Sequence, residues 1–153
     1  IKEYFNLGSI RIYREKTTFE QVIQDLSEAL KKEDCIFDVR EFMEDVLLRE
    51  VNYPTFIGDW FMLPHPLVTF AKKTAIGAAV LKQPLRIQEK EVQLIFLLAM
   101  ERKQNEQLVV LFELFRHIAA ERSAVRALAA VETEEEFVEA LIQISNSLEI
   151  YKG

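Results

Sequence analysis

A single α/β domain, a mixed β-sheet flanked by helices on both faces, is the fold this sequence predicts, and three observations carry it. Half of the 153 residues are apolar, which supplies a sizeable core for one domain in a chain short for two. Val92 to Met100 is apolar except for Gln93, the pattern of a strand covered on both faces. The predicted elements run strand, helix, helix, three strands, three helices, an order that does not alternate as a doubly wound fold does.

Each element has its own signal. From Ser9 to Arg14, Ile10 and Ile12 alternate with Arg11 and Tyr13, the period of a half-buried strand. Glu20 and Gln21 each follow a threonine by three residues, so Thr17 or Thr18 caps a helix in which Phe19, Val22, Ile23, Leu26 and Leu30 recur to about Lys32. Asp38 with Glu41 opens a second helix, with Val39, Phe42, Met43, Val46 and Leu47 on one face and its end near Arg49. Pro54 disfavours helix at Tyr53 and Gly58 suits a tight turn, so residues 51–59 read as a loop before a brief strand, Phe61 to Leu63. Leu67, Val68 and Phe70 have no clear period, and the stretch up to Lys73 reads as a loop with one turn of helix. Thr74 to Lys82 reads as a central strand ended by Pro84, and Val92 to Met100 as another. From about Asn105 the pattern is helical, with Leu108, Leu111, Phe112, Phe115 and Ile118 as one face and Val125, Leu128 and Ala129 as that of a following short helix. Thr133 with Glu136 caps a last helix from about Glu134, whose opening run of three glutamates suits the helix dipole.

Composition excludes several functions. With 25 acidic against 19 basic residues the net charge is −6, which disfavours direct contact with nucleic acid and suits a protein that meets other proteins. The lone Cys35 excludes an internal disulfide and reads as a free thiol in a reducing compartment, hence a cytoplasmic protein. No apolar run approaches the roughly 20 residues of a membrane span. The chain opens at Ile1 with neither an initiator methionine nor a signal-peptide pattern, and so reads as an excerpt from a longer polypeptide. Two histidines are too few for a histidine-rich metal site, and no phosphate-binding glycine motif or G-x-S-x-G elbow is present, so neither metal nor cofactor is expected.

The stretch from Arg49 to His65 is the part that does not read as scaffold. His65 stands between Pro64 and Pro66, which restrict the backbone and remove two donors, so its ring is presented from a stiff segment. A neutral imidazole is nucleophilic near pH 7 without losing a proton, which suits phosphoryl acceptance. The alternative is a solvated or hydrogen-bonded histidine without a role. Phosphoryl oxygens require a cation, and a guanidinium matches their geometry, so Arg49 is the candidate. It reads equally well as an arginine that complements its helix dipole and pairs with an acidic neighbour.

Arg49-Glu50, Pro54-Thr55-Phe56-Ile57-Gly58, Leu63-Pro64-His65, Thr74 to Leu85 and Val92 to Ala99 together resemble the mannitol/fructose-type enzyme IIA domain of the phosphoenolpyruvate-dependent sugar phosphotransferase system. The likeness extends over nearly the whole chain. It implies a histidine at His65 that takes a phosphoryl group from the phosphocarrier protein HPr and passes it to a cysteine on a IIB domain, with Arg49 helping to hold the group. The same module also occurs at the carboxyl end of transcription activators and antiterminators, where phosphorylation reports sugar supply. Three positions depart from the family pattern. Trp60 stands at its second loop glycine, Met62 at a small residue, and Gln107 at its second histidine. Gln107 can hydrogen-bond a phosphoryl oxygen but adds no charge. Thr55, Trp60 and Gln107 are the binding candidates around the histidine. The expectation is a IIA-like domain of a sugar-responsive regulator, phosphorylated on His65, with a transport relay or a degenerate binding module as the alternatives.

Overall fold

The computed structural model describes residues 2–103 and 106–152, with all of their side chains except those of 107 and 149–152. Among these residues it forms β1 (Ile10–Tyr13), α1 (Phe19–Lys32), α2 (Val39–Asn52), β2 (Phe61–Met62), β3 (Ala75–Ile87), β4 (Lys90–Ala99), α3 (Gln107–Ala120), α4 (Arg122–Ala129) and α5 (Glu134–Lys152). The expected caps are in place. Thr18 Oγ1 accepts from the Gln21 N–H at 3.1 Å, Asp38 Oδ1 from Glu41 at 2.8 Å, and Thr133 Oγ1 from Glu136 at 3.1 Å. Each satisfies one donor that the first helical turn leaves without an intrahelical partner.

The sheet has the order β1-β3-β4-β2. β1 lies parallel to β3, β3 antiparallel to β4, and β4 parallel to β2, so the sheet is mixed. Because strand side chains alternate, the two faces collect different partners. Ile76, Ala78 and Val80 of β3 and Leu94, Phe96 and Leu98 of β4 pack with α3, α4 and α5. Ala79 and Leu81, with Ile95 and Leu97, pack with α1 and α2. Gly77 serves this second face, since a Cβ there would stand 3.2 Å from Leu26 Cβ, and its absence lets α1 lie close. The β3–β4 hairpin closes through Gln88 and Glu89, at φ 49° and 69°, the left-handed pair that a twisted two-residue turn requires.

Four local expectations are corrected. β3 does not end at Pro84 but continues to Ile87. Its ladder with β4 is irregular between Val80 and Leu85, and its pairing with β1 stops at Leu81, so the missing N–H of proline falls where no ladder bond is needed. α2 continues past Arg49 to Asn52, because the restriction imposed by Pro54 acts on Tyr53, the cap residue, and not on the preceding turn. The predicted helical turn between 66 and 73 does not form. That segment is irregular, and the N–H groups of Leu67, Val68 and Thr69 point instead to the Asp45 carboxylate. On α3, Leu108, Leu111, Phe115 and Ile118 are buried as expected, but Phe112 is 42% exposed and Leu114 takes its place in the core.

Candidate functional site

The sequence at the end of β2 places the histidine. Phe61 and Met62 are fully buried, one on each face of the sheet, and pair with Leu94 and Ile95 of β4. Phe61 belongs to an aromatic cluster centred on Phe96, whose ring centroid lies 5.0 Å from that of Phe61 and 5.3 Å from that of Phe115. The chain then leaves the sheet at Pro64, whose carbonyl accepts from the Leu98 N–H at 3.0 Å. His65 follows, half-buried at the sheet margin.

Its ring nitrogens are differentiated. Nδ1 lies 2.8 Å from the Leu63 carbonyl oxygen, which can only accept, so Nδ1 carries the proton and Nε2 keeps its lone pair. Burial pushes the imidazole pKa below its ordinary 6.5, the bond to Leu63 opposes this, and the Arg49 charge adds to the lowering. Glu50 and Asp45 act in the opposite sense. The neutral tautomer with a free Nε2 is therefore the form present at pH 7.

Arg49 sits in the last turn of α2, close enough for its charge to bear on His65. Its Nη1 donates to the Tyr53 carbonyl at 2.7 Å, which satisfies a carbonyl at the helix end. Among the described residues no carboxylate pairs with it, so the other guanidinium donors remain for an anion. The next residue, Glu50, is buried at 8% exposure and accepts from the Thr55 N–H at 2.7 Å and the Thr55 hydroxyl at 2.6 Å. The structure thus brings Thr55 to Glu50. Its hydroxyl proton is engaged there, and the bond ties the start of the loop back onto α2.

The loop between Thr55 and Leu63 is a narrow one. Leu63 N–H donates to the Thr55 carbonyl and Ile57 N–H to the Phe61 carbonyl, both at 3.0 Å. Gly58 has φ 68°, and a Cβ there would meet the Ala119 carbonyl oxygen at 2.6 Å, so both conformation and space demand glycine. Trp60 is also left-handed, with φ 71°. A tryptophan thus occupies a conformation that glycine takes freely and that costs a bulky residue about 1–2 kcal/mol. Its indole is covered by the Arg122 guanidinium, 4.2 Å above the ring, and packs on the α3–α5 core. Trp60 is not among the residues lining the cleft of about 60 Å³ beside the imidazole, which is walled by Pro66, Phe70, Leu98, Met100 and Glu101.

Two contributors carried no usable signal in the sequence. Asp45 accepts from donors 22 to 24 residues later in the chain, a separation that no local motif marks. The Leu63 carbonyl is a backbone group. The Gln107 side chain lies outside the described residues. No group of three or more potential metal ligands exists among the described residues.

Comparison with known proteins bears on family and fold. A family model described as "Phosphoenolpyruvate-dependent sugar phosphotransferase system, EIIA 2" matches residues 3–146. The "Probable licABCH operon regulator" of Bacillus subtilis (strain 168) is 31% identical over 109 residues, which are 71% of this chain and 17% of that regulator. The chain therefore spans under a fifth of that relative's length. The nitrogen regulatory protein IIA-Ntr of Neisseria meningitidis superposes with a TM-score of 0.77 at 22% identity, covering 92% of this chain and 97% of that one. The enzyme IIA of Escherichia coli solved in complex with phosphorylated enzyme IIB superposes with a TM-score of 0.74 at 22% identity, covering 91% and 99%. At these identities the two structures are evidence of shared fold.

Proposed function

The chain belongs to the EIIA type 2 family of the phosphoenolpyruvate-dependent sugar phosphotransferase system, and from that premise we propose that His65 accepts a phosphoryl group from HPr within a sugar-responsive transcription regulator. The observation that carries the reading is the hydrogen bond from Nδ1 to the Leu63 carbonyl, which leaves Nε2 as the nucleophile. Nε2 attacks phosphorus, the new N–P bond forms as the donor's bond to phosphorus breaks, and the ring gains positive character. The Leu63 carbonyl stabilises that charge through Nδ1–H. Arg49 supplies guanidinium donors to the phosphoryl oxygens, and Gln107 a neutral one.

The docking surface is of the kind such a donor requires. Leu67 and Val68 are exposed beside the histidine and, with Leu48, line a groove rimmed by Asp38, Glu41 and the Arg40–Glu44 ion pair, so carboxylates outnumber the one guanidinium. An apolar centre with an acidic rim suits a small protein with a basic face. On this reading the domain works in the cytoplasm. The similarity to an operon regulator favours phosphorylation as a signal to the rest of a longer polypeptide. A second reading, relay of the phosphoryl group to a IIB domain, is supported by the likeness to the enzyme IIA seen with phosphorylated IIB.

Incubation with phosphoenolpyruvate, enzyme I and HPr tests the proposal. Acid-labile label is expected on the wild-type domain and none on His65→Ala. An unlabelled wild type leaves a binding module, and equal label on the variant rules out His65 as the acceptor. Addition of a IIB domain separates the two readings, since rapid loss of label to it is expected only of a relay.

A further inference from the structure

We propose that Asp45 is a positioning residue for His65, clamping the segment after the histidine to α2 so that the ring is held with Nε2 presented. The inference rests on the phosphoryl-acceptor reading for its purpose, but its geometry stands apart from it. One carboxylate collects four donors. Oδ1 accepts from Leu67 N–H at 2.8 Å, and Oδ2 from Val68 N–H at 3.0 Å, Thr69 N–H at 2.8 Å and the Thr69 hydroxyl at 2.7 Å. Burial alone would raise the carboxyl pKa, but these bonds together outweigh it and hold the group below its ordinary 3.8, ionised at neutral pH. Successive N–H groups turned toward one point form an anion-binding nest, and here the protein fills it with its own carboxylate.

The location of the clamp is what ties it to the histidine. The Leu98 N–H fixes the Pro64 carbonyl on the sheet side, and Asp45 fixes the Leu67 N–H on the helix side. Only His65 and Pro66 lie between these anchors, and the Pro66 ring removes most of the remaining torsional freedom. Apolar packing cannot hold residues 67 and 68, since Leu67 is 69% and Val68 73% exposed, and the segment has no helical or strand pairing of its own. Asp45 also stands one turn before Arg49 on α2, so one helix sets both the cation and the far anchor of the histidine. With its carboxylate engaged by these donors, Asp45 makes no ion pair with Arg49 four residues on.

Asp45→Ala tests the clamp, with amide exchange at residues 67–69 and the His65 titration followed by NMR and phosphoryl transfer from HPr followed in parallel. Release of the segment is expected to speed exchange at these amides at least tenfold and to move the His65 midpoint upward toward 6.5 as the ring gains solvent. Transfer is expected to fall in kcat/KM by roughly 10- to 100-fold, the scale of a misplaced nucleophile. A merely electrostatic role makes the opposite prediction, because removing the Asp45 charge alone lowers the midpoint. A lowered or unchanged midpoint with unchanged exchange overturns the proposal. Thr69→Val removes one donor without touching α2, and carries the test should Asp45→Ala not fold. A smaller upward shift with faster exchange supports the clamp, and no change overturns it. Should the wild type take no label, the acceptor reading fails, while the NMR measurements still decide whether Asp45 positions the ring.

Discussion

At His65, two weak influences act together. A carbonyl acceptor decides the tautomer, and partial burial with a nearby guanidinium decides the protonation state. The consequence for pH can be stated with its sign. The folded-state pKa is below the ordinary 6.5, so the unfolded chain binds the proton more tightly. The stability contribution of this group is therefore complete above pH 6.5 and is lost as pH falls through the lower, folded-state value. NMR titration of the imidazole is expected to give a midpoint below 6.5, and phosphoryl acceptance to persist at mildly acidic pH for the same reason. An arginine and a histidine sixteen positions apart were legible in the sequence as a pair worth joining. The clamp at Asp45 was not, because its partners are distant in the chain and three of its four donors are backbone N–H groups, two of them of apolar residues. Thr55, read as a binding candidate, has its hydroxyl turned to Glu50, a bond that only the return of the loop onto α2 creates.

Among the elements, the loop between α2 and β2 is the one whose composition and conformation disagree most. Trp60 holds a left-handed conformation, and the compensation comes from α4, whose Arg122 covers the indole at 4.2 Å. The loop is thereby coupled to α4. A double-mutant cycle with Trp60→Gly and Arg122→Ala is expected to return a coupling of about 0.5–1 kcal/mol in thermal or urea unfolding. Additive effects would show that the ring and the guanidinium are merely adjacent. Element boundaries were less legible than element types for a related reason. Proline punctuates a strand only where a ladder bond is lost, and at Pro84 both ladders had already lapsed.

For the whole molecule, surface charge sets the terms of encounter. A net charge of −6 and the rim carboxylates of Asp38 and Glu41, which no guanidinium of the groove pairs, favour a basic partner, so transfer from HPr is expected to slow by roughly tenfold as ionic strength rises from low to high. Stopped-flow measurement of label transfer across a salt series checks this, and a flat profile would count against electrostatic steering. The sequence by itself determined the mixed α/β architecture, the helix caps and the two prolines that flank His65, because each depends on local periodicity or on residues a few positions apart. The tertiary structure alone decided which ring nitrogen is free, which donors Asp45 gathers, where Thr55 turns and what covers Trp60. Each of these depends on contacts between segments brought together only when both faces of the sheet are packed, and no local pattern encodes such a contact.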